Sequence, residues 1–240
     1  ISSRKNPLLV HLKRLGADKA YRRACREFTG EGEKLLREAI ASSAAFCCVT
    51  ASRPVGGLPD GVRQVQVPAD VLASVSSQKS PDGVLFSCRM PEPLPLPKSG
   101  RLIALENIQD PGNFGTILRC AGAFAFDGVL ALGACADPWS PKTVRASMGA
   151  SFRVPVIETD VAALAASGLR LCAAALDQDS VDVRRAELSG FVPVIGSEGS
   201  GISRALLAVC EKKIVIPMPG GSESLNDAVA AAILLWEMTR

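Results

Sequence analysis

The chain has 240 residues, 48% of them hydrophobic, with 27 Lys and Arg against 24 Asp and Glu for a net charge of +3. This excludes a disordered chain and supplies apolar material for one large core or two modest ones. No apolar run approaches the roughly eighteen residues of a membrane span, and Arg4, Lys5, Lys13 and Arg14 stand where a signal sequence would be apolar. The expectation is a soluble, cytoplasmic protein with no membrane partner.

The net charge is unevenly spread. Residues 1–26 hold Arg4, Lys5, Lys13, Arg14, Lys19, Arg22, Arg23 and Arg26 against Asp18 alone. A solvated helix face gives such a pattern, and so does a nucleic-acid surface, where Lys and Arg gain affinity by releasing phosphate counterions. A membrane-surface helix is disfavoured by the lack of large aromatic anchors. Helical spacing predicts helices over 6–15, 19–28 and 32–41, and apolar β-formers predict strands over 45–51, 62–67 and 83–89. Residues 90–100 alternate proline with other residues, which removes backbone donors and forces extended geometry. We place a linker there and divide the chain into domains 1–97 and 98–240.

Beyond the linker, apolar runs over 102–105, 128–132, 154–157, 169–176, 192–195 and 214–218 alternate with helical stretches. Continuous apolarity with helices between strands predicts a parallel sheet covered on both faces, an α/β fold. A last helix over 225–239, with Ser222 or Ser224 as its cap, carries Ala228, Ala231, Ala232, Leu235 and Trp236. The eight cysteines stand singly or as the adjacent Cys47 and Cys48, without C-x-x-C spacing, and the single histidine is His11. Neither a zinc site, nor any other metal, nor histidine acid/base chemistry is expected.

Ligands of an open parallel sheet gather at the carboxyl ends of its strands, which directs attention to three loops. Residues 106–119 contain an Asp110-Pro111-Gly112-Asn113 turn that puts Asn113 at a helix start and Arg119 about one to two turns further on. Alone this reads as an ordinary capped turn. Arg119 follows Phe114, Ile117 and Leu118, where burial without a partner would be costly, so a partner for its guanidinium is expected beside it. Residues 195–202, Ile-Gly-Ser-Glu-Gly-Ser-Gly-Ile, set Glu198 among three glycines without forming a dinucleotide or triphosphate fingerprint. A Cβ at Gly196 is expected to intrude on a ligand. Residues 216–227 pack Ile216, Met218, Ser222, Ser224, Leu225 and Asn226 into a turn before the last helix, where free amides suit polar ligand groups and capping is the plainer use.

Taken together, in this order, the three loops resemble the signature motifs of the SpoU/TrmH methyltransferases: Asp-Pro-x-Asn-x-Gly…Arg, Gly-Ser-Glu-Gly-x-Gly and Pro-Met…Ser-Leu-Asn. The resemblance spans 101–240 and includes Val144 to Ala150, while residues 26–32, Arg-Glu-Phe-Thr-Gly-Glu-Gly, look like a diverged start of a ribosomal-protein-like RNA-binding domain. It implies a trefoil-knotted α/β methyltransferase domain at 98–240, a small α/β substrate-binding domain at 1–97, an obligate homodimer, and S-adenosylmethionine as cofactor. The activity implied is methylation of a ribose 2′-hydroxyl in structured RNA, ribosomal ahead of transfer RNA. Asn113, Arg119, Glu198, Ser224 and Asn226 match positions implicated in catalysis; Gly196, Ile216, Met218 and Leu225 match the cofactor-holding stretches. The chain departs from the pattern at Asp227-Ala228, where members often carry small or apolar residues, and at 122–126. The family proposal makes the Arg119 position the base, whereas arginine ordinarily stays protonated, so stabilising an alkoxide or binding phosphate are equal alternatives. The rivals are a non-catalytic RNA-binding relative and a nucleotide-dependent oxidoreductase, the latter disfavoured by the absent glycine fingerprint.

Overall fold

The computed structural model describes residues 1–220 and 224–240. In chain order the first elements are α1 (Pro7–Ala17), α2 (Lys19–Cys25), β1 (Glu27–Glu31), α3 (Glu33–Ala41), β2 (Phe46–Ala51), β3 (Gln64–Gln66), α4 (Ala69–Ala73) and β4 (Val84–Arg89). There follow β5 (Leu102–Glu106), α5 (Pro111–Ala123), β6 (Gly128–Leu132), α6 (Pro141–Ala146), β7 (Val156–Thr159), α7 (Val161–Ser167) and β8 (Arg170–Ala174). The last are β9 (Val181–Asp182), β10 (Phe191–Ile195), α8 (Arg204–Leu207), β11 (Lys212–Val215) and α9 (Asp227–Glu237). By packing, these make two units: Ile1–Glu92 with Asp137–Phe152, and Pro93–Ala136 with Arg153–Arg240.

The first unit is a mixed four-stranded sheet in the order β1-β4-β2-β3. Alternation along β4 serves both faces: Val84, Phe86 and Cys88 join Phe28, Leu36 and Val49 on one side, and Leu85 joins Leu9, Leu12 and Leu15 of α1 on the other. Asn6 starts α1 by accepting from the Leu8 amide at 3.0 Å, with Pro7 in the first turn, where no amide is needed. The sequence reading draws one boundary at residue 97, but the chain returns once, because Asp137–Phe152 packs with the first unit. Trp139 lies 4.7 Å from Phe28 between ring centres and Phe152 lies 5.9 Å from it. Arg22 and Asp137, both nearly buried, pair at 2.6 Å, and Arg22 also donates to the Leu15 carbonyl.

The helix expected over 19–28 ends at Cys25, and residues 27–31 are strand. Arg26 adopts the left-handed conformation (φ 55°) that closes α2, and the chain then extends to bury Phe28. Gly30 is forced by the neighbouring strand, since a Cβ there would lie 2.3 Å from the Phe86 ring.

The second unit is a wholly parallel seven-stranded sheet in the order β7-β6-β5-β10-β8-β11-β9. One face is filled by Leu102, Leu130, Leu171, Val194 and Leu206, among others, and on α5 and α9, which pack together, Phe114, Ile117, Leu234 and Leu235 are buried. The strand expected over 169–176 stops at Ala174, that over 154–157 runs from Val156 to Thr159, and that over 214–218 is Lys212–Val215. The backbone ladder reaches one residue past two of these ends, where the Ala175 amide donates to the Ile214 carbonyl at 3.0 Å and the Val129 amide to the Pro155 carbonyl at 2.9 Å. Among the described residues no helix is long and apolar enough to cross a membrane, and no cluster of His, Cys, Asp and Glu could hold a metal ion. All eight cysteines are free thiols.

Candidate active site

The carboxyl ends of β8, β10 and β11, which are neighbours in the sheet, open onto a cleft of about 370 Å³. Its walls come from residues 174–176 after β8, 195–198 and 200–202 at and after β10, 214–216 and Met218 along and after β11, and Ser224, Leu225, Asp227 and Ala230 around the start of α9. Such a site is where an open parallel sheet binds its ligands.

The loop after β10 is folded back on itself. The Gly201 amide donates to the Ser197 carbonyl at 2.8 Å, the Ser197 and Ser200 hydroxyls lie 2.8 Å apart, and Gly201 has φ +63°. This closure explains Gly196: a Cβ there would sit 2.1 Å from the Gly201 carbonyl oxygen. A Cβ at this cleft-lining position would therefore meet the loop's own backbone before any ligand is considered. Beneath the loop the buried Glu106 carboxylate accepts from the Ser203 amide at 2.7 Å, fixing the start of α8.

At one end of the cleft three stretches distant in sequence meet through side chains. Asn226 caps α9, accepting from the amides of Ala228 and Val229 at 3.1 and 3.3 Å. Its own amide group donates to Glu198 Oε1 at 2.7 Å and to Asn113 Oδ1 at 3.2 Å. Asn113 is held in turn by the Asp110 cap of α5, whose carboxylate accepts the Asn113 amide at 2.9 Å. The Asp227 amide donates to Glu198 Oε1 at 3.3 Å, and the Asp227 carboxyl is hydrogen-bonded to Asn113. Burial and the Glu198 charge push the Asp227 carboxyl up to about 6, partly offset by that hydrogen bond.

The expected residues therefore fall into three groups. Gly196, Ile216, Met218 and Leu225 line the cleft, as do Glu198 and Ser224. Asn226 joins it through Glu198, and Asn113 through Asn226 and Asp227. Arg119 stands apart: it is exposed on α5 and pairs with no described residue, so its charge stays in water and demands no partner. The cap of the last helix is Asn226, one polar residue later than Ser224, while Ser222 lies outside the described residues. Sequence reasoning missed residues 174–176, which a strict reading of strand ends would have flagged. It noted Asp227 only as a departure, although an acid among apolar neighbours at a helix start was itself the signal.

This geometry defines a class, a parallel α/β protein with a ligand cleft closed by three polar loops. The model of the SpoU rRNA Methylase family matches residues 100–236, and the chain belongs to that family. It is 30% identical to the 23S rRNA (guanosine(2553)-2′-O)-methyltransferase RlmP of Bacillus subtilis, over 99% of this chain and 98% of that protein. Among solved structures, a putative RNA methyltransferase of the TrmH family from Porphyromonas gingivalis is 30% identical with a TM-score of 0.86, covering 97% of each chain. An AdoMet-bound rRNA methyltransferase from Sinorhizobium meliloti is 28% identical, also at TM-score 0.86, over 99% of this chain and 95% of that one.

Proposed function

We propose that the chain transfers a methyl group from S-adenosylmethionine to a ribose 2′-hydroxyl of ribosomal RNA, in a cytoplasmic setting. The observation that carries this reading is the make-up of the cleft. Ile195, Ile216, Met218 and Leu225 offer apolar walls for a nucleoside, and Glu198 and Asp227 bring negative charge beside them, which suits a cationic sulfonium. Bound there, S-adenosylmethionine supplies a methyl group already activated for transfer. The chain's own work is then positioning: Asn226 ties Glu198 to Asn113, so the loops after β5 and β10 and the start of α9 hold one arrangement. Ser224 and Glu198 face the cleft, and Arg119 acts in the chemical step by stabilising the alkoxide, because a guanidinium keeps its proton.

The remaining parts of the reading are the division of labour, the knot and the dimer. Residues 98–240 hold the methyltransferase machinery and the basic 1–97 segment handles RNA. The order β5-β10-β8, in which a later strand enters between two earlier ones, supports a threaded backbone. A homodimer is supported by α9, whose outer side shows Val229 at 47% and Trp236 at 58% exposure on a helix that is apolar around most of its girth.

Purified protein, S-adenosylmethionine and unmodified ribosomal RNA should yield a 2′-O-methylated ribose on nucleotide mapping. In the same assay Arg119→Ala and Arg119→Lys should each lower the single-turnover rate by on the order of a hundredfold, with unchanged cofactor affinity. Cofactor-free RNA binding without transfer would favour a non-catalytic relative, and a normal rate for Arg119→Ala would pass the chemical role to Glu198 or Ser224.

A further inference from the structure

Two carboxylates meet in the cleft. Glu198 approaches from the loop after β10 and Asp227 from the first turn of α9. The other elements around Asp227 pair no cation with it among the described residues: α5 contributes the Asn113 amide and carries Arg119 on its exposed side, the stretch after β11 contributes Ile216 and Met218, and Asp177 beyond β8 is engaged by Lys213. Among the described residues no Lys or Arg pairs with Glu198 or Asp227. Asp227 is only 7% exposed, so its charge is neither solvated freely nor paired. Burying a second carboxylate beside a first is unfavourable unless a positive charge arrives to offset it.

We infer that Asp227 is a specificity-determining residue that makes the cleft prefer the cationic methyl donor over the neutral thioether left after transfer. The inference rests on the cofactor reading above. Donor and product differ by one methyl group and one positive charge at sulfur, so apolar walls cannot separate them strongly, whereas a carboxylate in a water-poor corner can. Glu198 alone has an oxygen already shared between the Asn226 side chain and the Asp227 amide. Asp227 supplies the second negative charge, and it does so conditionally. With its carboxyl raised to about 6, it is ionised at pH 7.5 and becomes neutral as pH falls through 6. Donor affinity therefore weakens on acidification, while affinity for the uncharged thioether does not. At neutral pH the same device favours exchange of spent product for fresh donor.

Calorimetric titration of the full chain with S-adenosylmethionine and with S-adenosylhomocysteine, at pH 7.5 and 5.5, tests this without any turnover. For the wild type the donor-to-product affinity ratio should fall by about threefold between the two pH values, since about a quarter of the Asp227 carboxyls are still ionised at pH 5.5. Asp227→Asn, which keeps the shape of the side chain, should lower that ratio by about tenfold at pH 7.5, through lost donor affinity, and remove its pH dependence. The wild-type titration gives an answer even where the variant is poorly folded. Equal weakening of both ligands in Asp227→Asn, or a wild-type ratio independent of pH, overturns the inference alone. If the wild type binds neither ligand, the cofactor reading falls and the inference with it.

Discussion

The two units are built from the same kind of chain to opposite electrostatic ends. The first holds sixteen Lys and Arg against ten Asp and Glu, and the second holds eleven against fourteen. Their sheets differ in the same sense. The mixed sheet of the first unit is clothed by α1 on one face and by α3 with Trp139, Val144 and Phe152 on the other, leaving its cations other than the buried Arg22 and the half-buried Arg26 on the outside. The parallel sheet of the second aligns its strand ends, so three adjacent carboxyl termini make a cleft. A parallel sheet thus creates a site by topology, whereas the first unit offers a surface by composition. A net charge near zero hides this, because it averages a cationic part with a weakly anionic one.

The largest expected effect breaks the cleft at its tightest point. Gly196→Ala adds a single methyl group, yet its Cβ would lie 2.1 Å from the Gly201 carbonyl oxygen, which is backbone and cannot swing aside. The loop that carries Glu198 has to open, and affinity for S-adenosylmethionine should fall at least about a hundredfold by calorimetry. Unchanged affinity would mean that the closed loop is not the binding conformation.

This position also measures how much the sequence tells. The glycine was legible and so was its loop, but its reason was not, because the clash partner Gly201 is brought back only by a turn whose hydrogen bonds are invisible in composition. Parallel strands and the three motif loops were legible because apolar runs and turn residues mark them locally. The start of β1 was not, since Tyr21 to Cys25 and Phe28 share a helical spacing until Arg26 turns left-handed to bury Phe28. The return of Asp137–Phe152 to the first unit was equally hidden, resting on the Arg22–Asp137 pair 115 positions apart. It also means that removing residues 1–97 cuts through the first unit and leaves Asp137–Phe152 behind. Such a truncation takes Phe28 and Phe86 from Trp139 and Phe152 and leaves apolar surface bare.

A smaller effect is expected at Asn226, where two roles can be separated. Serine caps a helix about as well as asparagine, so Asn226→Ser should change stability by no more than about 1 kcal/mol. It cannot, however, donate to both Glu198 and Asn113. Single-turnover methylation should drop by on the order of a hundredfold with the melting temperature nearly unchanged. A rate near wild type would show that the bridge is a by-product of capping.

The smallest effect tests the first unit, and it should be graded where the others are sharp. Lys13 and Lys19 are exposed, carry no ion pair with a described residue, and lie on α1 and α2 within the cationic first stretch. A lysine that meets a phosphate contributes by counterion release, so its loss weakens binding by a modest factor that shrinks as salt rises. The double change Lys13→Ala with Lys19→Ala should lower RNA affinity several-fold at low salt and reduce the slope of log affinity against log salt by about 1 to 2. Affinity for S-adenosylmethionine should not move, because the cleft is formed wholly within the second unit. A salt slope identical to wild type would show that this stretch is only a solvated face and would move the search for the RNA surface to the other exposed cations of the first unit. A change in cofactor affinity instead would break the division between the units at its root, since the described residues lining the cleft all belong to the second unit.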